Sequence, residues 1–463
     1  MKLLENLRIL FNNPLFALFP ELTVYDTILE KRIDIFKIFE ADLLKDMKNN
    51  NLGRKDTPSV EQIIRAIIYK EVRGLTYEEL EKHQFDSEIC KHFLKLGKKA
   101  YSDSMFQHYV KKIQPDSVKK MFVEINKIAI EMGYEDVKDI RTDSTVVETD
   151  IHHPTNNSLV YDCIKTSTDL LTKLAEQNSD RYNNLIFRLI EVKKNYYKLN
   201  NIKIDEAKDK EEKKKKRAEL MKNLFAENLN FLNSIHTEIK DIIKNELDEY
   251  SANEQVRIKD LDRQIDKIYK NAYRFQIEGK KVENSDKIFS IYEEHTDIIV
   301  KGLREWLFGH KVNISSGRSN LILDCEVLSG NPADTNLFEK PLTNIHENYG
   351  KQIESISDDG GYASLKNQNI AKELKIKNIV FTKIVGSLQN IVESEIKEKM
   401  LNNFRAGAEA VISNLKRGFD LRRVNWKGFE MFKNKVFWGV VGYNIRVLTG
   451  HILNTLFSKP AKS

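Results

Sequence analysis

Residues 140–149 read Ile140-Arg141-Thr142-Asp143-Ser144-Thr145-Val146-Val147-Glu148-Thr149. Thr and Val dominate, and β-branched side chains favour a pleated strand over a helix. With the strand's period of two, Asp143 shares a face with Thr145 and Val147, while Ile140, Ser144 and Val146 take the other. A carboxylate among such residues in a buried strand is costly unless it is paired or bound to a cation. A strand-edge Asp capping a local turn is the plainer alternative. Two further acidic sites far downstream favour the first.

Composition bounds the rest. The chain has 463 residues, 31% of them charged, with only 8 Pro and 19 Gly. That length suits two to four domains, and the scarcity of Pro and Gly suits a mostly helical protein. Cys90, Cys163 and Cys325 are isolated, so neither a disulfide framework nor a zinc finger is expected, and a reducing cytoplasm is. Met1–Pro20 carries Glu5 and Arg8 and reads as a packed helix, not a signal sequence. Val436–Phe457 is apolar but contains Asn444, Arg446 and His451, so it reads as a core helix and not a membrane span. Residues 401–463 hold 11 Lys or Arg against 3 acids, a net +8 where the whole chain has +6. A basic patch on a near-neutral body implies a polyanionic partner.

Upstream of the strand, short helices joined by tight turns are expected. Ser59 opens one with Val60, Ile63, Ile64, Ile67 and Ile68 at helical spacing, Gly74 ends it, and Thr76 with Glu79 forms a capping box for the next. Asp86 and Ser102 start two more. With Lys111 and Lys112 on the last, a helix-turn-helix reader is conceivable, but an ordinary helical bundle fits the local sequence better.

Downstream, no Gly occurs between Gly133 and Gly279 and no Pro between Pro154 and Pro332. Leu185, Leu189, Val192 and Tyr196, then Leu232, Ile235, Ile239 and Ile242, then Leu261, Ile265 and Ile268 recur at coiled-coil spacing. An antiparallel helical insertion over about 160–276 follows, with Lys213–Arg217 as a solvated face. Strands are expected at Lys287–Tyr292, His310–Ile314, Leu321–Leu328, Gln352–Ile356 and Asn378–Thr382, interleaved with helices over about 334–346 and 365–374. That alternation reads as a mixed α/β core.

The second acid, Asp359, stands in Ser357-Asp358-Asp359-Gly360-Gly361-Tyr362, where a strand gives way to a glycine turn. Strand ends are common ligand positions in α/β sheets, although an Asp-Gly turn alone is ordinary and Asp358 competes. The third lies in Asn402 to Arg417, where Arg405, Glu409 and Lys416 share one helical face. Lys416, Arg417, Arg422, Arg423 and Lys427 cluster around Trp426, a pattern that suits DNA contact, with Trp426 also readable as packing. Asp334, after Asn331-Pro332-Ala333, reads as a helix N-cap. His152 and His153 read as loop residues.

Together, Asp143-Ser144-Thr145-Val146-Val147-Glu148-Thr149, Asp359-Gly360-Gly361-Tyr362 and Arg405-x3-Glu409-x6-Lys416 resemble the DDE transposases of bacterial insertion sequences. His310-Lys311-Val312, Asn331-Pro332-Ala333-Asp334 and Pro58–Phe93 are also similar to that family. The last motif resembles its Tyr-Arg-Glu-Lys signature, with Asn402 standing where the signature has Tyr. The resemblance implies a mixed α/β, ribonuclease-H-like catalytic domain (136–159 and 286–463), an N-terminal helical DNA-binding domain (1–135) and a helical insertion (160–285). It implies catalytic, metal-ligating Asp143, Asp359 and Glu409 with two Mg²⁺ (or Mn²⁺) ions, Arg405 and Lys416 on transposon-end phosphates, and terminal repeats and target duplex DNA as partners. A homodimer or larger oligomer on paired ends, in a bacterial cytoplasm at the nucleoid, follows from it too. Mg²⁺ prefers oxygen ligands, so carboxylates are the right donors. Two alternatives stay open: a domesticated metal-dependent nuclease or recombinase, and a non-catalytic DNA-binding scaffold.

Overall fold

The computed structural model describes residues 17–45, 57–97, 99–175, 183–202, 210–301, 305–384 and 386–457. The helix expected over Met1–Pro20 lies, up to residue 16, outside the described residues. Seven strands are present among them: β1 (Asp139–Thr149), β2 (Asp297–Lys301), β3 (Glu305–Ser316), β4 (Ile322–Val327), β5 (Ser355–Asp359), β6 (Asn378–Thr382) and β7 (Arg423–Val424). The helices of eight residues or more are α1 (Pro20–Lys31), α2 (Val60–Arg73), α3 (Tyr77–Asp86), α4 (Asp103–Val110), α5 (Pro115–Glu131), α6 (Asn156–Leu174) and α7 (Asn183–Asn200). After them come α8 (Lys210–Asn245), α9 (Ala252–Gln276), α10 (Glu339–Tyr349), α11 (Leu365–Glu373), α12 (Glu395–Gly418) and α13 (Phe429–Phe457). The chain is mixed α/β, and it divides into two compact units, 1–150 with 299–463 and 151–298.

In the first unit the strands order as β2-β3-β1-β5-β6, with β4 beside β3 and β7 beside β1. β1 runs antiparallel to β3, Asp143 opposite Ile314, and parallel to β5, Ile140 opposite Ile356. Its β-branched Val146 and Val147 are buried, as the Val- and Thr-rich sequence requires. Two strand expectations need correction. Lys287–Tyr292 is irregular, and the strand falls instead at β2. The strand placed at Gln352–Ile356 is β5, which runs on through Asp358 and Asp359. Asp359 is therefore the last strand residue before the glycine turn.

Local capping sets the N-terminal helices. Ser59 and Gln62 cap α2 reciprocally, Gly74 ends it in the left-handed conformation at φ 67°, and Thr76 with Glu79 caps α3 in the same way. Ser87, not Asp86, caps the short helix Glu88–Phe93. These helices do not close a core of their own: one buried apolar cluster runs from Leu22 through the sheet to Ile452 of α13. α13 packs against α1, α2, α5 and β4. Its polar residues are used in that packing. Asn444 accepts from the Ile322 N–H at 3.0 Å and donates to the Ile322 carbonyl at 2.8 Å, satisfying both backbone groups at the start of β4. Lys435 of α13 donates to buried Glu71 of α2 at 2.7 Å. No helix among the described residues is long and apolar enough to cross a membrane.

The second unit is helix on helix. α8 spans 36 residues, and a turn with one 3₁₀ segment, Leu247–Glu249, returns the chain as α9. Leu229, Leu232, Ile235, Ile239 and Ile242 of α8 share a core with Ile258, Leu261, Ile265 and Ile268 of α9, following the heptad-like stripes. Lys213–Arg217 is exposed on α8.

Candidate active site

α12 lies across β1, β5 and β6 and brings the third acidic motif to the first two. Its close approach depends on Gly407: a Cβ there would come within 2.0 Å of Arg141 Nη1. Arg141 of β1 instead donates to the α12 backbone at Phe404 O (2.6 Å) and to Ser316 Oγ (3.0 Å). The helix is thereby fixed to the strand two residues before Asp143.

The three acids expected from sequence meet at Arg405. Its Nη2 lies 3.0 Å from Asp143 Oδ2 and 3.9 Å from Asp359 Oδ1, and its Nη1 donates to Glu409 Oε1 at 3.1 Å. The Arg405 side chain is only 11% exposed, whereas Glu409 is 74% exposed. One cation thus occupies the middle of three carboxylates carried by β1, the end of β5 and α12. In this arrangement no three His, Cys, Asp or Glu side chains among the described residues lie at metal-ligand spacing.

Asp143 accepts from the Ser144 N–H at 2.8 Å. Burial pushes its carboxyl above the usual range; Arg405 and the Ser144 N–H pull it down, and the charges of Asp359 and Asp334 add to the rise. The neighbouring aspartates differ sharply. Asp358 is buried and accepts from the Thr142 N–H of β1 at 2.7 Å, and burial pushes its carboxyl up to about 7. Asp359 has a 43% exposed side chain and accepts from Thr382 Oγ1 at 3.3 Å. The turn after it is anchored by Tyr362, which is 1% exposed and donates to Asn313 Oδ1 at 2.7 Å.

The basic residues are less gathered. Lys416 is half-buried two turns beyond Glu409 on α12, and Arg417 is exposed and donates to Ser413 Oγ. Arg422 and Lys427 are exposed. Arg423 is bound to Glu148 at 2.9 Å, where β7 runs beside β1. Trp426 is partly buried against the core, with its ring 6.4 Å from that of Tyr77.

Asp334 requires a correction. It begins the 3₁₀ turn Asp334–Leu337, and no side chain caps that turn. Its carboxylate is instead held by Lys311 Nζ at 2.6 Å and by the Ser144 hydroxyl at 3.1 Å. Thr382 and Lys311 join the site as partners of Asp359 and Asp334. Lys311 stands in the buried half of β3, between His310 and Val312, and a lysine among buried strand residues needs an acid partner.

Residues 301–445 match the sequence model of the family described as Transposase DDE domain. No curated protein and no solved structure matches the chain. The matched segment holds Asp359, Arg405, Glu409 and Lys416, while Asp143 reaches them through β1 from outside it. Over residues 301–445 of its 463, the chain is therefore similar to transposase DDE domains.

Proposed function

We propose that the protein is a DNA transposase in which Asp143, Asp359 and Glu409 form the reacting centre. The observation that supports it most is the convergence of these three carboxylates, from separate elements, on the single guanidinium of Arg405. Three acids that need a counter-ion also suit divalent cations, and every donor is a hard carboxylate oxygen, the kind Mg²⁺ or Mn²⁺ prefers. Asp143, Asp359 and Glu409 would hold two such ions. Bound there, the pair would supply the deprotonated attacking oxygen and offset the charge on the leaving oxygen.

Water attacks the scissile phosphorus and the P–O3′ bond breaks, leaving a 3′-OH and a 5′-phosphate. That 3′-OH then attacks a target phosphorus and displaces a target 3′-oxygen, so each step exchanges one P–O bond for another. Arg405 and Lys416 hold phosphates of the transposon end, and Arg417, Arg422, Arg423 and Lys427 extend the basic surface, with Trp426 beside them. A mixed sheet with acids on adjacent strands β1 and β5, covered by α12, supports a ribonuclease-H-like core. The N-terminal helices take a share of duplex binding, and the protein works as a homodimer or larger oligomer on paired ends, with unit 151–298 serving assembly. The test is cleavage of duplex DNA carrying the sequences that flank the gene. Cleavage with Mg²⁺ that stops in EDTA supports the proposal, and equal cleavage in EDTA refutes it.

A further inference from the structure

A fourth carboxylate sits beside the three. Asp334 lies where three pieces of chain meet. From β1, the hydroxyl of Ser144, next to Asp143, donates to Asp334 Oδ1 at 3.1 Å. From β3, Lys311 Nζ lies 2.6 Å from the same oxygen and also donates to Pro332 O at 2.8 Å. From the turn after Asp359, Gly361 comes so near that a Cβ there would stand 3.0 Å from Asp334 Oδ2. The Lys311 side chain is only 10% exposed, so its charge has little water to rely on and Asp334 is its partner. Asp334 is therefore bonded to the strand that carries Asp143 and packs against the turn that follows Asp359.

Charge points the same way. Asp143, Asp359, Glu409 and Asp334 are four carboxylates, and Arg405 and Lys311 are the two cations bound to them. The cluster is left with a formal −2, a net negative charge that attracts divalent cations.

We propose that Asp334, held by Lys311, is a positioning residue that fixes the spacing of Asp143 and Asp359 and raises the affinity of the site for a divalent cation. The proposal rests on the reading of Asp143, Asp359 and Glu409 as the reacting centre. Full-length variants test it. Asp334→Asn keeps the shape and an acceptor for Ser144 but removes the charge, Asp334→Glu keeps the charge, and Ser144→Ala removes the hydroxyl that reaches Asp334. One readout is Mn²⁺ binding without DNA, followed by loss of the free ion's paramagnetic resonance signal. The other is the Mg²⁺ concentration for half-maximal cleavage, set against the rate at saturating Mg²⁺.

Residues that orient metal ligands typically shift metal affinity by 10- to 100-fold. Asp334→Asn should weaken Mn²⁺ binding and raise the Mg²⁺ midpoint by roughly tenfold, about 1.4 kcal/mol, while the saturated rate changes far less. Asp334→Glu should recover most of the loss. Unchanged Mn²⁺ binding and midpoint in Asp334→Asn overturn the proposal, as does an equal loss in the Asn and Glu variants, which would mean packing alone. If Asp334→Asn does not fold, Ser144→Ala decides: a weaker Mn²⁺ affinity supports the link and an unchanged one overturns it. Asp143→Asn in parallel separates the two claims, because normal cleavage by that variant refutes the reacting centre whatever Asp334 does.

Discussion

Two adjacent aspartates of one strand show what the sequence alone left open. Asp358 and Asp359 are equally acidic in the sequence, and only the spacing to Gly361-Tyr362 separated them. The alternation of β5 decides their surroundings. Asp358 turns inward onto the Thr142 N–H, where burial favours its neutral form, and Asp359 faces the half-exposed opening with Arg405 and Thr382. Asp358→Asn keeps an acceptor for Thr142 and should retain cleavage within a few-fold. Asp359→Asn should lose at least about 100-fold, as expected when a group that orders the reacting oxygens is removed. Cleavage rates of the two purified variants, with thermal melts to show that both fold, check this; a dead Asp358→Asn beside an active Asp359→Asn would reverse the assignment. The surroundings of Asp334 are hidden from the sequence for a related reason. An Asp after Asn-Pro has the local chemistry of a cap, and its real partners, Ser144 and Lys311, come from distant strands that no local pattern reveals.

Among the elements, α12 carries the most weight, and it was the most legible. The spacing of Arg405, Glu409 and Lys416 placed them on one face, and the Arg405–Glu409 contact at 3.1 Å agrees with that spacing. What the spacing withheld is that Arg405 reaches past Glu409 to Asp143. Contact across 262 positions is a property of how α12 crosses β1, which depends on Gly407 and Arg141. β1 itself was legible because its β-branched residues are unambiguous, whereas Lys287–Tyr292 has strand-like composition but pairs with no strand among the described residues. For the basic side of α12, Lys416→Ala should weaken binding of end DNA and reduce the magnitude of the salt slope by about 0.9, the value per phosphate contact on duplex DNA. Arg417 lies about 100° round the helix, so Arg417→Ala should change cleavage less. Affinity across a salt series for both variants checks this, and an unchanged slope for Lys416→Ala would remove it from the DNA.

At the scale of the whole molecule, the helix-on-helix packing within 151–298 was legible in its stripes, and the core that the N-terminal helices share with α13 was not. Heptad-like stripes without Gly or Pro announced a unit that packs helix on helix, and residues 151–298 do so around their own apolar core. The N-terminal helices carry equally clear capping signals, but such signals fix helix ends and say nothing about which body a helix joins. Here α13 reaches back to α1, α2 and α5, and buried Glu71 takes its charge partner Lys435 from α13. A fragment of residues 136–463 should therefore fail to fold, since removing the first 135 residues exposes the apolar face of α13 that packs on α1, α2 and α5. The isolated fragment 151–298 should fold as a helical unit with a cooperative melt. Circular dichroism and thermal denaturation of both fragments check this; a cooperatively folded 136–463 would show that the N-terminal helices are an independent domain after all.

The most direct measurement is a paired binding and cleavage assay on one labelled duplex bearing the gene-flanking end, comparing wild type with Asp143→Ala in Mg²⁺ and in EDTA. Wild type should bind and cut in Mg²⁺ and only bind in EDTA, and Asp143→Ala should bind with similar affinity and cut in neither. Cleavage by Asp143→Ala at the wild-type rate would contradict a reacting centre built from Asp143, Asp359 and Glu409.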